Sequence, residues 1–361
     1  VERRGVVGGA AVTEEFHPGF RNSVCAYTVS LLNPKVVAGL DLYAHGLKIV
    51  ERPVSNFLPT NDAGYLHAFP DPDQMRAEVA RHSTHDADQL ADYEQTIERL
   101  ANVLKSFVLE TPPNSGGGLT GIWKAIKSGK RLYDLSIEDQ RDLADIMTMS
   151  AVDFLDRWFE NDAVKALFAF DGIVGTLASP YQAGTAYVLL HHCFGEIMKN
   201  PGAWGHAIGG MGAITQAMAR SAQAAGADIE VDAPVAEVLV SNGKASGVRL
   251  EDGREIQARV VAANVNPKLL FGRLLNQRQV PQDFYKRMMN WRCASGTFRM
   301  NVALRELPDF SCLPGTTLAP HHTAGIILAP DVGYMENAYI EARQSGWSKN
   351  PVVEMLIPST I

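Results

Sequence analysis

The sequence predicts an α/β protein of two domains, one of them discontinuous along the chain. Three observations carry this. The 361 residues exceed what a single hydrophobic core usually organises. Residues 205–271 give the order helix, strand, three-stranded meander, buried strand. Residues 72–200 are mostly of helical period and stand between that segment and a first stretch of short extended runs. The expected division assigns 1–60 and 205–271 to one domain, and 61–204 and 272–361 to the other.

The 205–271 segment is the most specific. Gly209, Gly210 and Gly212 lead into a helix whose Met211, Ile214, Met218, Ala222 and Ala225 recur at three- and four-residue steps. Gly226 stands where a left-handed C-cap belongs. Asp228 to Val231 reads as a short strand. Asn242-Gly243 is a type I′ hairpin signal and Asp252-Gly253 a second, so extended segments fold back on one another. Val260 to Ala263, apolar throughout, reads as a strand buried on both faces.

A helix on a strand, followed by a meander that returns to the sheet, is one way to build a Rossmann-like FAD/NAD(P)-binding domain. The chain's first residues, VERRGVVGGAAVT, support that reading. In a dinucleotide fold the acid ending the second strand accepts hydrogen bonds from the adenosine ribose, the place Glu2 would take. Beyond Arg4, the pair Gly8-Gly9, followed by Ala10, would let backbone N–H groups approach a pyrophosphate or ribityl chain. Alone, these residues read equally as a surface acid and a flexible loop. With the 205–271 segment, the flavin reading is the better account.

ERRGVVGGAAVTEEFHPGF (2–20), GGMGAITQAMARSAQAAGADI (209–229) and GVRLEDGREIQARVVAANVNPK (247–268) resemble the phytoene-desaturase-related FAD oxidoreductases. FYKRMMNWRCASGTFRMNVALRELPDF (284–310) and PVVEMLIPST (351–360) extend the resemblance over nearly the whole chain. It implies an FAD cofactor bound by Glu2, Arg4, Gly8, Gly9, Ala10, Gly209 and Gly210. It also implies that backbone groups at Val235 meet the adenine edge. In the family a strand and a G-x-G-x-x-G turn stand roughly 20 residues before the ribose acid. This sequence begins at that acid and stops after Ile361, ahead of a last flavin-contacting segment. The expectation is therefore an internal piece, incomplete as a dinucleotide-binding domain, that purifies without yellow colour.

Charge and composition narrow the partners. A net charge of -7 argues against nucleic acid, which wants a basic face. Cys25, Cys193, Cys293 and Cys312 form no C-x-x-C pair, so neither zinc nor a dithiol centre is signalled. No apolar run reaches the length of a membrane span, although peripheral membrane contact is compatible with the sequence. The expected location is cytoplasmic, or mitochondrial in a eukaryote, with any targeting segment unreadable here.

Elsewhere the pattern is plainer. His17-Pro18-Gly19-Phe20 is a turn; Ser23 to Leu32 reads as strand or short helix; Lys48 to Val54, Phe57-Leu58 and Tyr65 to Phe69 read as extended. Leu90, Tyr93, Ile97, Leu100, Leu104 and Phe107 fall on one helical face, and Ser136 opens another helix. Thr297 to Leu304 alternates, with Phe298, Met300 and Val302 on the apolar side. Ala324 to Leu328 and Val352 to Ile357 are apolar strands, and Tyr334 to Gln344 a helix. His191-His192 with Glu196, and His321-His322, read as packing groups rather than metal ligands, and no metal is expected. His206, three residues before Gly209, is a candidate catalytic proton carrier or else a satisfied surface residue.

By resemblance the function is FAD-dependent dehydrogenation or isomerisation of a small hydrophobic, isoprenoid- or carotenoid-like substrate, with an unspecified electron acceptor. Two alternatives stay open. One is a flavin amine oxidase, which shares the E-x-R-x-x-x-G-G element. The other is a non-enzymatic escort of lipidated proteins resembling a Rab GDP-dissociation inhibitor.

Overall fold

The computed structural model describes residues 1–361 except 115–117, 198–199, 202 and 294, with the side chains of 197, 200 and 201 also left aside. Asn114-Ser115-Gly116-Gly117-Gly118, which reads as a loop in the sequence, therefore falls largely outside the described residues.

The architecture is α/β, and its main core is helical. Thr84–Lys105, Ile137–Thr148, Ala151–Leu155, Asp162–Ala169 and Thr185–His192 pack around Leu100, Ile146, Phe154, Leu155 and Leu190, all fully buried. The expected apolar stripe forms this contact: Leu90, Tyr93, Ile97 and Leu100 are buried on the long helix. Aromatic rings fill the centre, Phe159 lying flat on Phe168 at 5.2 Å and edge-on to Tyr93 at 5.1 Å. Short polar side chains start the helices. Ser83, Ser136 and Ser150 each accept the N–H three residues on, satisfying a donor the helix cannot.

A four-stranded sheet backs onto this core. Its order is Val353–Met355, Gly325–Leu328, Asn56–Pro59, Tyr65–Ala68, antiparallel except for the central pair Gly325–Leu328 with Asn56–Pro59. Side chains alternate across it, as the strand period requires. Leu58, Leu66 and Ile327 face the helices, while Phe57 and Ile326 face a smaller cluster closed by Phe310.

The helix Met211–Ala224 and the meander Val235–Ser241, Lys244–Leu250, Glu255–Gln257 form where expected. Asn242 and Gly243 both take positive φ, 50° and 75°, as a type I′ turn demands, and Gly226 takes the left-handed C-terminal position. The helix buries Ile214 and Ala217 against Leu42, Leu47 and Val29, with Met211 and Met218 half-buried beside them.

Three expectations fail in instructive ways. Asp228–Val231 is not a ladder strand, although its Glu230 O accepts the Glu2 N–H at 2.8 Å and, just beyond it, Ala233 N–H donates to Glu2 O at 2.9 Å. Val260–Ala263 is neither strand nor buried, with Val260 79% exposed, because no strand among the described residues pairs with it. Instead Val261 and Ala263 line an open groove of about 630 Å³ between the meander and Leu270, Phe271 and Phe284. Thr297–Leu304 keeps its alternation with the faces reversed: Phe298, Met300 and Val302 point to solvent, while Asn301 turns inward to accept from Asn22 at 3.0 Å. Alternation fixes which residues share a face; it does not fix which face docks.

Candidate cofactor cradle and buried polar site

The predicted cofactor residues lie along one edge of the helix Met211–Ala224. The chain from Glu2 to Ala10 runs beside 230–233 through the bonds above, and Asp232 N–H donates to Arg4 O at 3.0 Å. Thr215, one turn into the helix, places its hydroxyl 3.1 Å from Ala11 O. Gly8 is held so close that a Cβ would lie 2.7 Å from Thr215 Oγ1 and 2.9 Å from Ala11 O, and its φ is +135°. Only glycine meets both conditions.

Polar groups in this stretch are unevenly occupied. Glu2 is half-buried; its Oε1 accepts Arg4 N–H at 2.9 Å, while its second oxygen takes no hydrogen bond among the described residues. The Arg4 guanidinium is spent on Glu14. Ala10 O accepts Ala26 N–H at 3.0 Å, but the N–H groups of Gly8, Gly9 and Ala10 meet no acceptor among the described residues. Gly9 and Ala10 are exposed, and a Cβ on Gly9 would meet nothing within 4 Å. Successive free N–H groups over open space suit an anionic or polar chain laid along them.

Gly209 and Gly210 sit at the other end of the edge and answer to packing. Both have positive φ, 90° and 77°. A Cβ on Gly210 would fall 2.4 Å from Thr13 Oγ1 and 2.9 Å from Ser23 Oγ. Those hydroxyls accept from Gly212 N–H and Met211 N–H, each at 3.0 Å, so the first donors of the helix are already used. Val235 opens the edge strand of the meander, two residues beyond the bond from Ala233 to Glu2. It thus lies near Glu2, the ribose-acid candidate.

His206 is elsewhere, and not at the surface. It sits mid-way in the strand Gly205–Ala207, which pairs with Ile49–Glu51 on one side and bridges to Val29 on the other. Only 6% of it is exposed, and its Nε2 has no partner. Burial, then the nearby Arg52 guanidinium, lowers its pKa to about 4, so it is neutral at physiological pH.

Around it the fold assembles a cluster that no local sequence signal announced. Arg52, 4% exposed, donates from Nη1 to Ser55 O at 3.1 Å and from Nη2 to Thr28 Oγ1 at 3.2 Å, while Nε has no partner. Room for it depends on Gly325, where a Cβ would stand 2.5 Å from Nη1. The Tyr27 hydroxyl donates to Glu354, in the outermost strand of the four-stranded sheet. Burial raises the Glu354 carboxyl, with the Tyr27 bond and the arginines opposing. Arg299 lies 4.6 Å over the Tyr27 ring. Asp171, between the helices, is pushed up to about 7 by burial and then by Glu354, with Arg52 opposing. The only sequence trace was the polar half of alternating runs: Arg299 and Asn301 between Phe298, Met300 and Val302.

The paired histidines singled out in the sequence include packing groups. His192 Nδ1 lies 2.9 Å from Val188 O with its ring on Trp204, and His322 is fully buried against Pro308 O and Phe310. His85, Asp86 and Glu160 bring ligand atoms within 4.8 Å of one another. The Asp86 oxygens, however, already accept from Glu160 N–H and Asn161 N–H, which ties two helices together.

No protein-family model matches the chain. Its whole length is 35% identical to pyridine nucleotide-disulfide oxidoreductase domain-containing protein 2 of Mus musculus, and spans 65% of that protein. A phytoene desaturase (neurosporene-forming) of Rhodobacter capsulatus is 37% identical over 100 residues, 27% of this chain and 18% of the relative. Among solved structures, an oxidoreductase from Methanosarcina mazei superposes on 80% of this chain and 58% of its own, at 17% identity and TM-score 0.44. The chain is similar over its whole length to pyridine nucleotide-disulfide oxidoreductase domain-containing protein 2, and over shorter stretches to phytoene desaturases and prolycopene isomerases. No helix among the described residues is long and apolar enough to cross a membrane.

Proposed function

We propose that the complete protein is an FAD-dependent oxidoreductase that dehydrogenates or isomerises a hydrophobic substrate. The observation that carries this reading is the cradle from Glu2 to Ala10. Three successive N–H groups without acceptors and one open carboxylate oxygen lie beside the edge strand at Val235. These residues fit the group: Glu2 would accept from the ribose hydroxyls, Gly8 to Ala10 would donate to the phosphate or ribityl chain, and Val235 would meet the adenine through its backbone.

The bound flavin would supply the hydride-accepting ring. The chain's own residues supply the surroundings. His206, neutral and buried, holds an unpartnered ring nitrogen beside Tyr27, to which its ring hydrogen-bonds through the backbone. Asp171 can carry a proton at neutral pH because burial lifts its pKa to about 7, within reach of the charge on Glu354 and Arg52. Burial around Arg52 and His206 keeps bulk water from these groups.

The full-length gene product is expected to be yellow. Glu2→Ala should weaken its FAD affinity by roughly 1–3 kcal/mol, the cost of leaving the ribose donors without their acceptor. Titrating the apoprotein with FAD measures this. A colourless full-length protein that takes up no FAD would defeat the proposal; unchanged affinity in the variant would remove Glu2 from the site.

A further inference from the structure

We propose that Arg52 and Arg299 form, with Tyr27 and His206, a subsite for the carboxylate of the substrate. This deepens the reading above, from an apolar substrate to an apolar substrate that carries an acid.

Buried guanidinium groups are normally matched by a carboxylate, because an uncompensated charge away from water is costly. Arg52 is almost wholly buried, yet it forms no ion pair among the described residues; its hydrogen bonds go to a carbonyl and a hydroxyl. Arg299, half-buried, likewise has no ion pair there, and its Nη2 reaches only Asn301 Oδ1 at 3.4 Å. The Nε of each arginine is buried without a partner. Glu354 feels both cations, but from beyond ion-pair distance, and its oxygen is engaged by Tyr27. Asp171 also feels Arg52, but burial raises both carboxyls, so neither guanidinium has a carboxylate at ion-pair distance among the described residues.

The residues that carry these atoms meet around Tyr27 and Thr28. Arg299 covers the Tyr27 ring, His206 is bonded to the Tyr27 backbone, and Arg52 is bonded to the adjacent Thr28. Arg52 Nε, Arg299 Nε and His206 Nε2 are three buried nitrogens without partners among the described residues, on side chains that surround two consecutive residues. Planar donors without an ion-pair partner match a carboxylate, which guanidinium recognises through paired N–H bonds.

An oxyanion could come from the substrate or from the cofactor's phosphates, and the test separates them. The full-length protein is titrated calorimetrically with octanoate, octanol and inorganic phosphate. Octanoate should bind more tightly than octanol, and saturating phosphate should not displace it. Arg299→Gln should weaken octanoate by about tenfold or more, the loss of a charge-assisted pair, and leave octanol unchanged. Arg299→Lys, which keeps the charge and loses the fork, should fall between, and it serves if Arg299→Gln unfolds the protein. Equal binding of octanoate and octanol, displacement by phosphate, or unaltered octanoate affinity in both variants would each overturn the proposal. Flavin content is read separately by absorbance, so a failure of the cofactor reading remains distinguishable from a failure of this one.

Discussion

Replacing Asp171 by Asn tests the electrostatics of the buried site directly. Burial, followed by the negative charge of Glu354, raises this carboxyl from 3.8 to about 7, and Arg52 only partly opposes the shift. Cys193 and Tyr93 also feel its charge, and His192 bonds to its backbone. A folded-state pKa above the unfolded one means that the native protein holds the proton more tightly. The stabilisation is then fully present below about pH 4 and is lost as pH rises through about 7. At about 1.4 kcal/mol per pH unit, the span amounts to about 4 kcal/mol. Histidines work in the opposite sense: His192 and His206 have lowered pKa values, so their contribution grows as pH rises towards the ordinary 6.5. They are present in both proteins and cancel in the comparison. Urea unfolding of wild type and Asp171→Asn from about pH 5 to about pH 8 gives the difference in stability at each pH. That difference should move against wild type by about 1.4 kcal/mol per pH unit up to about pH 7, then level off. A difference independent of pH would show that Asp171 is not held protonated, and the account of the cluster would fail with it.

Two other substitutions probe separate parts of the molecule. Phe154→Ala removes a fully buried ring packed 4.9 Å from Trp158 and should destabilise the helical core by about 3–5 kcal/mol, read from the urea midpoint. At Val235 the backbone rather than the side chain should matter: titrated with FAD, the full-length Val235→Ala protein should bind nearly normally and Val235→Pro, which lacks the N–H, should not. Equal binding would misplace the adenine contact.

Local signals in the sequence were decisive wherever the physics is local. Asn242-Gly243 and Gly226 name their own backbone conformations because few residues tolerate positive φ. The stripe from Leu90 to Leu100 identified its helix and its buried face, since a 22-residue helix has no better way to remove that surface from water. The candidate stretch Glu2 to Ala10 stands out in the sequence for the same reason: Glu2, Gly8, Gly9 and Ala10 are neighbours in the chain and the nature of each residue is informative by itself.

What the tertiary structure alone decided was non-local. Val260–Ala263 and Thr297–Leu304 carry strand-like patterns, but a strand exists only if another backbone completes its hydrogen bonds, and pairing is no property of the segment. The polar site is the extreme case. Tyr27, Arg52, Asp171, His206, Arg299 and Glu354 come from six separate stretches, and none stands in a motif. An arginine in a sequence looks the same whether exposed or buried; its meaning here arises from what the fold excludes, which is water and a matching carboxylate.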